Sequence, residues 1–156
     1  MGVDAGSWAS SPAVRRSMKA NRRTDTNPER RLRALLHARG LRFRKDHRIR
    51  VGEFSVRADI VFVRAKVAVF VDGCFWHSCP THATVPKTNR AFWVDKLGRT
   101  VERDRAVDAR LSAEGWVVVH VWEHERAEDA SARIESELAE IALGTGNRPN
   151  PERLQL

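Results

Sequence analysis

The chain is predicted to be an α/β protein, a mixed sheet flanked by helices, and three observations predict it. Apolar residues recur at helical spacing at Leu32, Leu35 and Leu36, and again over residues 92–113 and 127–143. Between these lie short β-branched runs at residues 60–63, 67–71 and 116–122. Both cysteines and two histidines fall in one loop after the run at 67–71, which suggests a metal-held platform rather than ordinary core.

Residues 1–26 read as a flexible basic arm: Gly, Ser and Pro come early, then Arg15, Arg16, Lys19, Arg22 and Arg23, with too few apolar residues to bury themselves. Asn27 is expected to cap the first helix, with Pro28 at its first position and Gly40 stopping it. Residues 41–44 and 49–56 alternate like strands. The runs at 60–63 and 67–71, joined by Arg64-Ala65-Lys66, are expected to pair as an antiparallel hairpin. Residues 92–113 form a long charged helix with Trp93, Leu97, Val101, Val107 and Leu111 inward, ended by Gly115. A buried strand at 116–122 and an amphipathic helix at 127–143, through Ile134, Leu138 and Ile141, complete the order α, strands, α, strand, α. The folded domain thus spans 27–143, and 144–156 is a flexible tail.

Length and charge bound the function. A chain of 156 residues with 42% hydrophobic residues is one domain with a real core. No apolar run is long enough to cross a bilayer, and the amino terminus lacks a signal-peptide pattern, so a cytoplasmic location is expected. With 28 basic against 20 acidic side chains, the net charge is +8. That excess favours polyanionic partners, nucleic acid first.

The loop Cys74-Phe75-Trp76-His77-Ser78-Cys79-Pro80-Thr81-His82 carries the first site. Thiolate and imidazole are the ligand set of tetrahedral structural zinc. Cys74, Cys79 and His82 are local, and His124, just past the apolar run 116–122, is the best fourth ligand; it would staple two distant elements together. A Cys74–Cys79 disulfide and two unconnected buried thiols are the alternatives at this point, the disulfide being disfavoured in a reducing compartment. Asp59 is the second site. It stands at the entry to a strand of Ile, Val and Phe, where a carboxylate must be paired, hydrogen-bonded or bound to a cation. Asp72 ends the neighbouring strand, and two strand-borne acids suggest Mg²⁺, which takes hard oxygen ligands. His77 is then available to take a proton from attacking water. The plainer alternative for Asp59 is a turn aspartate capping local amides.

The run Phe70-Val71-Asp72-Gly73-Cys74-Phe75-Trp76-His77, the later Val85-Pro86-Lys87-Thr88-Asn89 with Phe92-Trp93, Val101-Glu102-Arg103-Asp104, and Gly115-Trp116 to Trp122-Glu123 resemble the very short patch repair (Vsr) DNA mismatch endonucleases. The resemblance begins near Ser17-Met18-Lys19-Ala20 and continues to about Glu125. It implies a restriction-endonuclease-like fold and a monomer that nicks one strand on the 5′ side of the thymine in a T·G mismatch, the lesion left by deaminated 5-methylcytosine. Duplex DNA carrying the mismatch is the implied partner, with mismatch-repair proteins as further partners. By the same resemblance Asp59 is the essential metal-binding aspartate, Val71 helps hold Mg²⁺ through its main-chain carbonyl, His77 activates or positions the nucleophile, and Glu29 is an acid near the active site. Phe75, Trp76 and Trp93 are implied to wedge into the base stack beside the mismatch, where unstacking costs least. Lys87 and the arm residues Arg15, Arg16 and Lys19 would neutralise phosphates without reading bases. Asp104 is expected to orient His77, an exposed helical ion pair with a neighbouring arginine being the alternative.

The chain departs from the family pattern at four places. Asp72 stands where the best-known members carry histidine, Ala58 replaces a proline, His124 replaces a cysteine, and the loop before Pro86 is one residue shorter. Two other readings remain at this point: a catalytically weak module that binds mismatched DNA, and a nuclease of a restriction system acting on other DNA. A zinc-stabilised basic RNA-binding or structural protein is a third, in which Asp59 and His77 would be dispensable.

Overall fold

A computed structural model describes residues 25–144. Seven elements follow one another: α1 (Asn27–Ala38), β1 (Arg44–Val51), β2 (Phe54–Phe62), β3 (Val67–Asp72), α2 (Arg90–Ala113), β4 (Val117–Trp122) and α3 (Ala127–Ala142). The strands form one sheet in the order β1-β2-β3-β4. The first two pairings are antiparallel, while β3 and β4 are parallel through the α2 crossover. The expected mixed sheet with flanking helices is therefore present.

Alternation along the strands divides the core in two. Leu32 and Leu36 of α1 and Ala130 and Ile134 of α3 cover one sheet face, against Ile60, Phe62, Val67, Val69, Val119 and Val121. Leu111 of α2 packs on the other face with Ile49, Ala58, Val61 and Ala68, and Phe70, Val107, Trp116 and Val118 complete that side. Among the described residues no helix is long and apolar enough to cross a membrane.

Several expected boundaries are corrected. Thr26, not Asn27, is the N-cap of α1, and Asn27 and Pro28 lie inside the first turn. Thr26 and Glu29 have the spacing of a capping box, and Glu29 Oε1 accepts from the Thr26 hydroxyl at 3.0 Å. The stretch 49–56 is not one strand: it is broken by a two-residue turn at Gly52-Glu53, with Gly52 at φ +58°, and its halves pair with each other. Residues 41–43 precede β1 without joining it. The hairpin of β2 and β3 forms as expected, and Lys66 closes it at φ +52° while its carbonyl accepts from Val117 N–H at 2.8 Å, which starts the β3–β4 ladder. Val101 and Val107 are only half-buried, whereas Asp108 is buried.

One irregularity positions the site. In β2, Val56 and Ala58 face α2, but beyond them it is Val61 that faces α2 while Ile60 and Phe62 face the opposite core. The period-two pattern slips by one residue at Asp59. Opposite it, Asp46 of β1 has φ +45°, and pairing passes from Lys45–Ile60 to His47–Ala58 across that point.

Candidate active site and metal centre

The slip in β2 aims the Asp59 carboxylate across to β3, where Oδ2 accepts the Val71 N–H at 2.7 Å. Burial raises Asp59 from 3.8 to about 6; the Val71 hydrogen bond opposes this, and the negative charges of Glu29, Asp72 and Asp46 add to it. Glu29, at the start of α1, is 4% exposed. Its oxygens are occupied by the Asp25 N–H at 2.7 Å, the Thr26 hydroxyl and Arg33, so it contributes its charge to the site while tying the entry of α1 together.

On the α2 side a chain of acids and histidines runs along the carboxyl end of the sheet. His77 Nδ1 lies 2.6 Å from Asp104 Oδ2 and 3.8 Å from Asp72 Oδ1. Asp104 is thus joined to His77, and Arg103 also reaches its other oxygen at 3.3 Å. Burial works against the charged His77 ring, but the Asp104 hydrogen bond and the charges of Asp72 and Asp104 outweigh it and raise its pKa above the ordinary value. Asp104 is correspondingly lowered by the same bond, against burial.

Two residues of this network escaped the sequence reading. His120, in the middle of β4, places Nδ1 2.5 Å from Asp72 Oδ2 and Nε2 3.0 Å from Asp108 Oδ1. Burial opposes its charge, yet the bonds to Asp108 and Asp72 raise it to about 10. Signals for both were present. A histidine amid Val117, Val118, Val119 and Val121 needs a polar partner, and Asp104 and Asp108 share a helix face at i,i+4.

The loop after β3 gathers the cysteines and histidines. Cys74 Sγ lies 3.0 Å from His124 Nδ1, and Cys79 Sγ lies 3.7 Å from His124 Nδ1 and 3.8 Å from His82 Nδ1. The ligand atoms of Cys74, Cys79, His82 and His124 all fall within 4.8 Å of one another. A tetrahedral site with bonds of 2.0–2.3 Å has ligand atoms roughly 3.3–3.8 Å apart, so the four donors fit one soft or borderline metal ion. Both thiols are free, which removes the disulfide alternative. The two thiols are shifted in opposite directions: although burial opposes the thiolate, N–H groups at Thr81 and His82 and the His82 ring hold Cys79 down at about 7, while burial and the neighbouring Cys79 push Cys74 up to about 11. Glu123 anchors the loop to the end of β4 by accepting the Cys74 N–H at 2.8 Å, while its own N–H donates to the Asp72 carbonyl at 2.9 Å.

The same loop carries the aromatics. Phe75 meets Trp76 edge-on with ring centroids 5.0 Å apart and Trp93 at 5.3 Å, and Phe92 abuts Trp93 at 5.5 Å. Lys96 Nζ lies 5.5 Å from both the Trp76 and Trp93 rings, a further cation that the sequence reading did not single out. Phe75 and Trp76 are half-buried and keep a free edge, whereas Trp93 is 3% exposed and acts as the floor on which they rest. Lys87 is exposed before α2. Arg15, Arg16 and Lys19 lie outside the described residues. A cleft of about 450 Å³ between the start of α1 and the turn from β4 to α3 lies beside Trp122, Glu123 and His124 and includes neither Asp59 nor His77.

The family described as DNA mismatch endonuclease Vsr matches residues 10–82. The type II nicking enzyme V.NaeI of Lentzea aerocolonigenes is 50% identical over 130 residues, covering 83% of this chain and 78% of that protein. The DNA mismatch endonuclease Vsr of Escherichia coli K12 is 38% identical over 109 residues, 69% of this chain and 67% of the relative. This chain belongs to the Vsr family. It is a DNA endonuclease. Type II nicking enzyme V.XorIIP of Xanthomonas oryzae is likewise similar, 38% identical over 117 residues and 83% of its own length. Within this Vsr-family chain, Asp59 is bonded to Val71 and His77 to Asp104, and Asp72 stands between the two pairs, its charge acting on Asp59 and its Oδ1 lying 3.8 Å from His77 Nδ1. The Asp72 departure is matched structurally: its carboxylate is taken up by His120 rather than left as an isolated buried charge.

Proposed function

We propose that the protein is a Mg²⁺-dependent mismatch endonuclease that nicks one strand 5′ of the thymine in a T·G pair, in very short patch repair of deaminated 5-methylcytosine. It acts as a monomer on duplex DNA in the bacterial cytoplasm, and mismatch-repair proteins are its natural further partners. The observation that carries this reading is that Asp72 stands between Asp59, tied to Val71 N–H at 2.7 Å, and His77, which is paired with Asp104 at 2.6 Å and lies on the loop that also bears Phe75 and Trp76. Membership of the Vsr family supports it.

Asp59 and the Val71 main-chain carbonyl are the residues that would hold Mg²⁺, and the acidity clustered around Asp59 favours a cation there. When bound, Mg²⁺ supplies Lewis-acid polarisation of the scissile phosphate and offsets charge building on its oxygens. Because Asp104 occupies His77 Nδ1, Nε2 is the nitrogen left to accept a proton from the attacking water. Asp104 fixes the ring so that this nitrogen keeps its aim. Cys74, Cys79, His82 and His124 are the residues that would hold a structural Zn²⁺, which would brace the loop that carries Phe75, Trp76 and His77. Phe75 and Trp76 enter the base stack, with Trp93 supporting them from below, and a mispair yields to such a wedge more cheaply than a matched step does. Lys87, the Lys96 cation and the arm residues Arg15, Arg16 and Lys19 neutralise phosphate.

End-labelled duplexes carrying T·G in all flanking contexts, beside matched controls, test the reading in Mg²⁺. Nicking 5′ of the mismatched thymine supports it. Tight mismatch binding with no nick in any context would move the protein to the binding-module reading, and nicking of matched DNA in a fixed sequence would move it to a restriction setting.

A further inference from the structure

His120 is the one histidine of β4, and both of its ring nitrogens are committed. Nδ1 faces Asp72 Oδ2 at 2.5 Å, and Nε2 faces the two Asp108 oxygens at 3.0 and 3.1 Å. Asp72 is 6% and Asp108 5% exposed, so neither carboxylate relies on water. A carboxylate accepts and cannot donate, so a ring that meets one at each nitrogen carries both protons and is a cation. Phe70 stacks on it with centroids 5.5 Å apart and planes 20° apart, which removes the ring's freedom to turn.

The clamp does not end at Asp72. With Oδ2 held by His120, the other oxygen, Oδ1, faces His77 Nδ1 at 3.8 Å, on the ring atom already bonded to Asp104. Were His120 absent, the Asp72 and Asp108 carboxylates would both lose the partner that holds them. Asp72 Oδ2 would have no side-chain bond left to fix it, and the carboxylate could turn away from His77.

We propose that His120 is a positioning residue of the nicking reaction: clamped between Asp72 and Asp108, it fixes Asp72 against the His77 ring, and through Asp72 it sets the orientation of His77. This inference rests on the reading of His77 as the group that handles the proton of the attacking water. It touches neither substrate nor metal, and its effect is transmitted by a single carboxylate. A purely structural role, welding β3, β4 and α2 together, is the alternative to be excluded.

The two ring nitrogens give the test. An asparagine amide nitrogen falls near the place of Nδ1 and a glutamine amide nitrogen near that of Nε2, so His120→Asn keeps the hold on Asp72 and His120→Gln keeps only the hold on Asp108. Both variants are assayed for single-turnover nicking of a T·G duplex, with folding checked by melting and zinc content. The expected result is a kcat for His120→Asn within about threefold of wild type and a fall of about 10–100-fold for His120→Gln, the usual cost of losing an orienting partner, with KM for DNA unchanged in both. Asp72→Asn, nearly isosteric and therefore secure against misfolding, should show the same fall, and adding His120→Gln to it should cost no more than about a further twofold. Equal activity of the Asn and Gln variants, full kcat in Asp72→Asn, or losses that multiply in the double variant would each overturn the proposal while leaving the nicking activity in place. A wild-type protein that binds T·G duplex without nicking would overturn the function proposed above, and this role with it.

Discussion

Replacing Asp59 by asparagine should abolish nicking and at the same time stabilise the protein. The asparagine carbonyl can accept the Val71 N–H as the carboxylate does, so the hydrogen bond at 2.7 Å survives. What disappears is a buried charge among other acids. The rise of Asp59 from 3.8 to about 6 measures the cost of that charge. At about 1.4 kcal/mol per pH unit the full penalty is about 3 kcal/mol, and relaxation and water entry reduce it to about 1–3 kcal/mol. For a domain of this size that is a Tm increase of about 4–12 °C. The sign with pH is fixed. A folded-state value above the unfolded one means that wild type holds this contribution below 3.8 and loses it as pH rises through about 6. The variant has nothing to lose, so its advantage should be nearly absent at pH 4 and complete at pH 7.5. Urea or thermal melts of both proteins across that range, in Mg²⁺-free buffer with zinc retained, measure it, and added Mg²⁺ should stabilise wild type alone. A variant no more stable than wild type at pH 7.5, or an advantage that does not change with pH, would refute the reasoning.

Three further outcomes are expected. Native mass spectrometry should find one zinc in wild type and none in Cys79→Ser, which removes a sulfur 3.7 Å from His124 Nδ1 and 3.8 Å from His82 Nδ1. Its stability should fall by at least about 3 kcal/mol, since metal binding of about 10–16 kcal/mol is folding free energy in small zinc domains. Trp76→Ala should weaken binding to T·G duplex by about 5–100-fold, the worth of one base–aromatic stack, with a smaller loss on matched DNA measured in the same titration. Deleting residues 1–24 should lower the slope of log K against log salt by about 0.9 for each phosphate that the arm neutralises, and an unchanged slope would remove the arm from the interface.

The parts of this molecule that the sequence discloses are those whose signal is local. The hairpin of β2 and β3 can be read from two β-branched runs and a three-residue turn, and the donor set Cys74, Cys79 and His82 from one loop. His124 is harder. It was reachable only as the nearest remaining soft ligand, and the parallel pairing of β3 with β4 brings it to Cys74. The break at Gly52-Glu53 was hidden because the alternation of Ile49, Val51, Phe54 and Val56 runs through the turn without a change of phase. Asp108 and His120 were hidden for a different reason. Each looks ordinary in its own element, a helical acid and a strand histidine, and their partnership exists only once α2 lies over the sheet and the β3–β4 register sets Phe70 beside His120. Trp93 illustrates competition between two demands: its helical spacing assigns it to the core and its motif to the base stack, and it lies buried against Phe75 and Trp76, as the spacing requires and a wedge does not.

The central claim is that hydrolysis depends on the Asp59 carboxylate at the end of the sheet while recognition depends on the zinc-braced aromatic loop. Single-turnover nicking and equilibrium binding of the same T·G duplex by wild type and Asp59→Ala in Mg²⁺ test it most directly. The expected result is binding within about threefold of wild type together with a rate at least about 1,000-fold lower, the scale of losing a metal-centred electrostatic contribution. An Asp59→Ala protein that nicks at the wild-type rate would contradict the account.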